Sequence, residues 1–168
     1  IVGYIGTSNN SSNYIKKCIN LGQIEQNTEV YYGGRAGFAS STVYISDCIN
    51  LKDLPVWSTG SSSGIVFVNT NVTSSIDRCI NVGKSACPSA CAIANSGVNS
   101  NCYYNSETTY GGQDFSDKTD GKVIPKTTAE LCNLKSDDLS NEWSFAEAGE
   151  PTRYPLPNLS EVYNATVW

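Results

Sequence analysis

Short apolar runs alternate with clusters of serine, threonine, asparagine and glycine along the chain. The runs are rich in β-branched and aromatic residues, and they are too short to make helices. The polar clusters between them have the composition of turns. The pattern therefore predicts an all-β chain whose strands include residues 1–5, 35–39, 65–68 and 92–94.

A second pattern recurs at a fixed distance. Cys-Ile-Asn begins at Cys18, Cys48 and Cys79, which are 30 and 31 residues apart, and an isoleucine precedes each cysteine by three positions. A weaker copy, Cys-Tyr-Tyr-Asn, begins at Cys102. A period of this size indicates one supersecondary unit stacked on itself.

We therefore predict a parallel β-solenoid (β-helix-like) over residues 1–105, a C-terminal cap over residues 106–157 and an extended tail over residues 158–168. Strands of successive coils would lie about 4.8 Å apart, so equivalent residues would form ladders. Isoleucines would make an apolar ladder, and asparagines would stack at a bend where their amides can hydrogen-bond from coil to coil. The coils are predicted at roughly residues 1–32, 33–62, 63–91 and 92–105.

The segment after Cys102 has a different character. Thr127 and Glu130 make a capping-box pattern, which predicts one short helix. Large apolar side chains follow, and we expect them to cover the end of the solenoid, with an aromatic sugar-binding platform as the alternative. These residues are Trp143, Phe145, Tyr154 and Leu156.

Several of these segments resemble GLUG-type repeats. The resemblance is carried by Ile-Val-Gly-Tyr-Ile-Gly at residues 1–6, Ile-Lys-Lys-Cys-Ile-Asn-Leu-Gly-Gln-Ile at 15–24, Asn-Cys-Tyr-Tyr-Asn at 101–105, Lys-Thr-Thr-Ala-Glu-Leu at 126–131 and Tyr-Pro-Leu at 154–156. Such repeats occur in large surface and secreted proteins of bacteria and some protists. The resemblance therefore implies a β-solenoid of a surface or secreted protein. The third unit departs from the pattern, because residues 65–68 lack the glycine of the first strand.

The charge composition of the chain argues against some classes of binding partner. Charged residues make up 16% of the chain, against about 25% in typical soluble domains. The net charge of −5, with no basic cluster, argues against nucleic acid.

No apolar run approaches the ~20 residues of a membrane span, and no signal peptide is visible. The chain has no methionine, even at position 1, and it begins inside a predicted strand. We expect a segment of a longer extracellular or cell-surface protein.

The seven cysteines suggest an oxidising compartment. Cys18, Cys48 and Cys79 would form a structural ladder of buried thiols, because parallel stacking holds their side chains too far apart for disulfides. Cys87 and Cys91 flank a proline-containing turn, and we predict a disulfide between them.

The remaining cysteines leave two possibilities open. Cys132 either pairs with Cys102 or stays buried as a thiol. A zinc site would need four converging thiolates, which the residues of a ladder cannot supply.

Four separated sequons lie in predicted turns or in the tail. If the source is eukaryotic, they predict N-linked glycans. Their acceptor residues are Asn10, Asn71, Asn158 and Asn164.

Catalysis finds little support in the sequence. The chain has no histidine, which excludes Ser-His and Cys-His nucleophile pairs. Paired carboxylates are the remaining route, but Asp47 and Asp77 are one residue out of register, which should send their side chains to opposite faces of the strand unless a bulge resets the register. The acidic stretch at residues 114–121 lacks the spacing of an EF-hand-type calcium loop and is predicted to be a solvated turn. We predict no catalytic residue, no cofactor and no metal site.

The sequence therefore indicates a non-enzymatic extracellular repeat protein, acting as an adhesin or as a structural component of a surface assembly. Expected partners are other copies or domains of the same surface protein and host or matrix glycans. The alternative is a carbohydrate-binding or carbohydrate-cleaving β-solenoid. Exposed aromatics or carboxylates clustered on one face would favour that alternative.

Overall fold

The computed structural model describes residues 2–5, 12–23, 32–33, 36–39, 42–54, 62–68, 74–84, 91–108, 123–147 and 153–159. Short strands dominate these ranges. The strands are β1 (Val2–Ile5), β2 (Asn13–Lys16), β3 (Ile19–Asn20), β4 (Tyr32–Gly33), β5 (Ala36–Ala39), β6 (Val43–Ser46), β7 (Ile49–Asn50), β8 (Ser62–Ser63), β9 (Val66–Val68), β10 (Ser74–Asp77), β11 (Ile80–Asn81), β12 (Val98–Ser100), β13 (Cys102–Asn105), β14 (Val123–Lys126), β15 (Trp143–Ser144) and β16 (Leu156–Pro157). The helix is α1 (Thr128–Cys132).

Three sheets carry the repeated strands, and every pairing within them is parallel. Each strand pairs with the strand that holds the equivalent place in the next repeat. The sheets have the orders β1-β5-β9, β2-β6-β10-β12 and β3-β7-β11-β13-β14. Strands β4 and β8 also pair in parallel, whereas β15 and β16 are antiparallel. The prediction of an all-β chain with parallel strands is confirmed.

The pairing joins equivalent residues of successive repeats. Ile15 pairs with Ile45, and Ile45 pairs with Ile76. Asn20 pairs with Asn50, and Asn50 with Asn81. Because side chains alternate between the two faces of a strand, this register places each set of identical side chains on one face.

A left-handed residue marks the same corner in each repeat. Lys17, Asp47, Arg78 and Asn101 have φ between 48° and 53°, and each directly precedes a cysteine of the repeat. This conformation costs a non-glycine residue about 1–2 kcal/mol, so its recurrence shows that the corner belongs to the repeat. The corner directs the chain from the sheet that contains β2 into the sheet that contains β3.

The first apolar core combines side chains from all three parallel sheets. Isoleucines and valines pack there with three cysteine thiols. Burying one such isoleucine contributes about 1.5–3 kcal/mol relative to exposure. The members are Val43, Ile45, Cys48, Ile65, Val66, Ile76, Cys79, Ile93, Ala94 and Cys102.

A second core lies on the other face of the sheet that contains β7 and β11. The residue after each cysteine points away from the first core, so Ile49, Ile80 and Tyr103 form an apolar row. Helix α1 and the chain after it pack on this row. The buried side chains of that segment are Leu131, Leu134, Leu139 and Trp143, and Phe145, Tyr154 and Leu156 are partly buried against them.

The location of the C-terminal segment corrects one expectation. Trp143 and its neighbours do not cover the end of the repeats, because their cluster includes residues of four successive repeats, from Ile19 in the first to Tyr103 in the fourth. The segment instead lies along the side of a sheet. The physical reason is the apolar row itself, which would otherwise expose large side chains to water.

Residues 123–126 add a strand to one of the parallel sheets. Strand β14 pairs in parallel with β13 and is the fifth strand of that sheet, which the sequence analysis did not predict. Strand β14 lies at the edge of the sheet, where the missing N–H of Pro125 is tolerated.

The short helix agrees with its predicted start. The Thr127 side chain accepts from the backbone N–H of Glu130, and the Glu130 carboxylate accepts from the backbone N–H of Thr127, so the capping box is complete. Helix α1 ends at Cys132, and Leu131 is buried. In the part of the chain that the structure describes, no helix has the length and apolar content to cross a membrane.

Candidate functional site

Two exposed tyrosines stand side by side on the outer face of the sheet β2-β6-β10-β12. Tyr14 pairs in register with Tyr44, and their rings stack with centroids 5.0 Å apart and planes inclined by 15°. Tyr44 lies between buried Val43 and Ile45, so strand alternation directs it outward. Tyr14 is 75% exposed and Tyr44 is 39% exposed. Sequence analysis missed this pair, although each tyrosine directly precedes the isoleucine of its repeat.

The remainder of this outer face, which we call the tyrosine face, is mostly polar. Ser75 and Val98 continue the row that begins with the two tyrosines. A second outward row follows two residues further along each strand, and it consists of Lys16, Ser46, Asp77 and Ser100. The tyrosine face therefore combines one aromatic pair with hydroxyl groups and one charge of each sign.

Asp47, Asp77 and Arg78 form a charged cluster at the corner. Arg78 donates from Nε to Oδ1 of Asp47 at 2.7 Å and from Nη2 to Oδ2 at 3.0 Å, which is a bidentate pair. Arg78 also bonds to Asp77. The indole Nε1 of Trp143 donates to Asp47 at 3.2 Å, and Glu142 beside it pairs with Lys17.

Two opposing effects set the protonation of the buried carboxylate. Burial by itself would raise the pKa of Asp47. The hydrogen bonds and charge of Arg78, together with hydrogen bonds from Ser46 and Trp143, outweigh burial and hold this pKa below its ordinary value of 3.8. The Asp47 hydrogen bond in turn raises the pKa of Arg78. Asp47 is therefore an ionised structural group at neutral pH.

The predicted separation of the two carboxylates is wrong. Asp47 and Asp77 do not point to opposite faces, because one guanidinium contacts both. The Arg78 side chain is only 25% exposed. The left-handed corner at Asp47 and Arg78, which strand alternation alone does not predict, turns these side chains toward each other.

Buried asparagines link one repeat to the next. Asn20 donates from Nδ2 to Oδ1 of Asn50 at 2.8 Å, and Asn50 donates in the same way to Asn81 at 2.9 Å. Each amide also bonds to the backbone two residues ahead, as in the 2.8 Å bond from Asn50 Nδ2 to the carbonyl of Lys52. These buried amides are satisfied by the repeat itself.

The cysteines hold equivalent positions in successive repeats. The N–H of Ile49 donates to the carbonyl of Cys18, and the N–H of Ile80 donates to the carbonyl of Cys48, both at 2.9 Å. The Cys79 thiol is fully buried. Its burial, and then its hydrogen bonds with the neighbouring Cys102 and Cys48 thiols, raise its pKa well above the ordinary value. A neutral buried thiol of this kind is a packing group rather than a nucleophile.

The other predicted cysteine pairs have different outcomes. Cys102 and Cys132 are both buried thiols, so the alternative in which they pair is wrong, and burial raises the pKa of Cys132. Cys91 is half-buried, and Cys87 lies outside the described residues. The disulfide between Cys87 and Cys91 stays a prediction.

Most of the predicted glycan acceptors lie outside the described residues, namely Asn10, Asn71 and Asn164. The acidic stretch at residues 114–121 lies outside them too. Asn158 is exposed, and its backbone N–H donates to the carbonyl of Glu142 at 2.7 Å. Within the described ranges, no three Cys, Asp or Glu side chains converge in a way that could hold a metal ion.

Comparison with known proteins gave no match. No family model, no curated protein and no solved structure is significantly similar to this chain.

Proposed function

We propose that the chain is part of a β-solenoid in an extracellular or cell-surface protein, and that it acts without catalysis in adhesion or in the assembly of a surface structure. The three parallel sheets would be the faces of the solenoid, and the corner before each cysteine would separate two of them. The GLUG-type resemblance of the repeats is part of this proposal.

One observation carries the proposal. Polar side chains of the repeat are engaged in contacts between repeats: the Asp47 carboxylate makes a bidentate pair with Arg78, and the Asn20 amide bonds to Asn50. A carboxylate held by a guanidinium cannot easily donate or accept a proton during a reaction. Such a repeat supports a surface rather than an active site.

A second candidate function is carbohydrate binding. The observation that favours it is the exposed aromatic pair on the tyrosine face, with hydroxyl groups beside it. Aromatic rings bury the apolar faces of sugars, and hydroxyl groups can bond to sugar hydroxyls. The two rings stack on each other, however, so each ring covers one face of the other. This arrangement favours adhesion over deep capture of a single sugar.

Bead adhesion tests the proposal. Beads coated with the chain should attach to beads that carry the same chain or to immobilised matrix glycans, and Tyr14→Ala with Tyr44→Ala should reduce the attachment. Ser144→Ala, on an exposed residue away from that face, is the matched control. A glycan array separates the two candidates. Release of reducing sugar from any polysaccharide by the wild-type chain, abolished in Asp47→Asn, would contradict a role without catalysis.

A further inference from the structure

The tyrosine face holds two phenol rings at a short separation that the backbone sets. Tyr14 and Tyr44 lie 30 positions apart in the sequence and pair in register on β2 and β6. Their ring centroids are 5.0 Å apart. Because neighbouring strands lie about 4.8 Å apart, the register of the repeats is sufficient to bring the two phenols together.

Both rings are open to reagents in solution. Tyr14 and Tyr44 are among the exposed large side chains of the protein. Exposed side chains change rotamer in picoseconds to nanoseconds, whereas the paired backbone beneath them stays in place. The two rings can therefore leave the stack and meet through their edges without any movement of β2 or β6.

Other tyrosines that the structure describes have packing roles. Tyr103 is buried, and its hydroxyl donates to the carbonyl of Asp138 at 3.1 Å. Tyr154 is half-buried, and its hydroxyl accepts from Nδ2 of Asn105 at 3.3 Å. Both rings belong to the second core. Among the described tyrosine side chains, those of the stacked pair are the most accessible to a reagent.

We propose that Tyr14 and Tyr44 are a site of oxidative cross-linking, where a haem peroxidase with hydrogen peroxide joins their rings as dityrosine. Each phenol loses one electron and its hydroxyl proton, which gives a phenoxyl radical with spin density on the carbons ortho to the oxygen. One carbon–carbon bond forms between two ortho carbons, and the hydrogen on each of these carbons moves to the phenol oxygen. The two electrons and two protons reduce one hydrogen peroxide to two waters.

The geometry favours coupling within one chain. Two radicals on separate molecules must meet by diffusion, whereas the register already holds Tyr14 beside Tyr44. The new bond would join the first repeat to the second and close a loop across 30 positions, which restricts the unfolded chain. The reaction needs only the register and exposure of this pair, so it is independent of adhesion.

Peptide mass spectrometry tests the cross-link. The whole chain in dilute solution is treated with a haem peroxidase and hydrogen peroxide, and the monomeric fraction is digested with trypsin. Cleavage after Lys16, Arg35 and Lys52 releases fragments 1–16 and 36–52. We expect these two fragments to be joined, with a mass two hydrogens below their sum. Fragment 1–16 has no cysteine, so a disulfide cannot account for the joined product.

Three variants locate the link. Tyr14→Phe and Tyr44→Phe keep each ring and remove its phenol, and each should reduce the joined product at least tenfold. Tyr4→Phe is the matched control, because Tyr4 lies in the same fragment but pairs in register with Phe38, which has no phenol. This variant should give the wild-type yield.

Digestion before oxidation tests whether the fold promotes coupling. Fragments 1–16 and 36–52 at the same concentration should give at least tenfold less joined product than the folded chain, because the register no longer holds the rings together.

Four results would overturn the inference. They are the absence of the joined fragments from the monomeric chain, links found solely between molecules, equal yields from the folded and the digested chain, and a joined product that persists in Tyr14→Phe. Bead attachment is measured without oxidant, so none of these results would affect it. Failure of the cross-link is therefore distinct from failure of the proposed function.

Discussion

Trp143 donates its indole N–H to the buried carboxylate of Asp47 at 3.2 Å, across 96 residues of sequence. This bond ties the C-terminal segment to the second repeat and not to the last one. It also completes the hydrogen bonding of a carboxylate that Arg78 holds from the other side. The segment therefore stabilises the repeats laterally, by covering a row of isoleucines and fixing the charged corner beneath it.

Two replacements of Trp143 should separate the contribution of its ring to the free energy of unfolding from the contribution of its N–H. Trp143→Ala should lower the free energy of unfolding by about 3–5 kcal/mol, because it leaves a cavity over the isoleucine row. Trp143→Phe keeps most of the ring and loses the bond to Asp47, which should cost about 1.5–3 kcal/mol. Urea unfolding measures both, with Ser144→Ala as the exposed control. If Trp143→Phe were as stable as wild type, the bond to Asp47 would not hold the segment.

Acidic pH should destabilise the protein through Asp47. Its pKa is lower in the folded protein than in the unfolded chain, where it is about 4. The resulting stability is fully present above the unfolded pKa and is lost as the pH falls through the folded pKa.

The variant Asp47→Asn should therefore flatten the dependence of unfolding free energy on pH below about pH 4. It should also reduce stability at neutral pH, because Arg78 loses a charged partner. Asp137→Asn, at an exposed position, is the control. Urea unfolding at a series of pH values makes the comparison. The same acid slope in Asp47→Asn and in wild type would exclude Asp47 as its source.

Gly83 and Gly22 occupy the same place in two repeats but differ in surroundings. A Cβ at Gly83 would lie 1.9 Å from the carbonyl oxygen of Lys52, whereas a Cβ at Gly22 would meet, among the described residues, nothing closer than Asn20 Oδ1 at 3.9 Å. Gly83→Ala should therefore cost about 1–3 kcal/mol through backbone displacement, and Gly22→Ala should be close to neutral. Thermal unfolding of the two variants, compared side by side, checks this. Equal melting temperatures would show that neighbouring repeats are not so closely packed at Gly83.

Thiol reactivity should follow position in the repeat. The Cys79 thiol is fully buried and its pKa is raised, so alkylation should be slow in the native protein. Cys18 of the same ladder is less buried and should react faster. Iodoacetamide labelling followed by peptide mass spectrometry gives the two rates, and labelling in denaturant supplies the reference. Rapid native labelling of Cys79 would show that the first core is open to reagent.

The sequence predicted how the repeats pair with one another, but it did not predict how the C-terminal segment contacts them. The spacing of 30 and 31 residues predicts that Ile15 pairs with Ile45 and that Ile45 pairs with Ile76, because a fixed period places equivalent residues side by side. The start of helix α1 at Thr127 could also be predicted from the sequence, because a capping box depends on residues three positions apart.

The features that sequence reasoning missed depend on long-range geometry. The contact of Trp143 with Asp47 joins two residues that lie 96 positions apart, and the sequence pattern around one does not predict the other. The left-handed corner occurs at Lys17, Asp47 and Arg78, three residue types that share no turn preference. Strand β14 carries no Cys-Ile-Asn pattern, and Pro125 argues against a strand, so its pairing with β13 follows only from the edge that β13 offers.

The asparagine bonds give the most direct test of the stacking of repeats. Nuclear Overhauser spectroscopy can detect contacts of the side-chain amide protons of Asn20, Asn50 and Asn81 in solution. We expect cross-peaks from the Asn20 amide to Asn50 and from the Asn50 amide to Asn81, but none between Asn20 and Asn81, which are two repeats apart. Two results would contradict the parallel register of the repeats. One is the absence of both neighbouring contacts in the folded protein, and the other is a direct contact between Asn20 and Asn81.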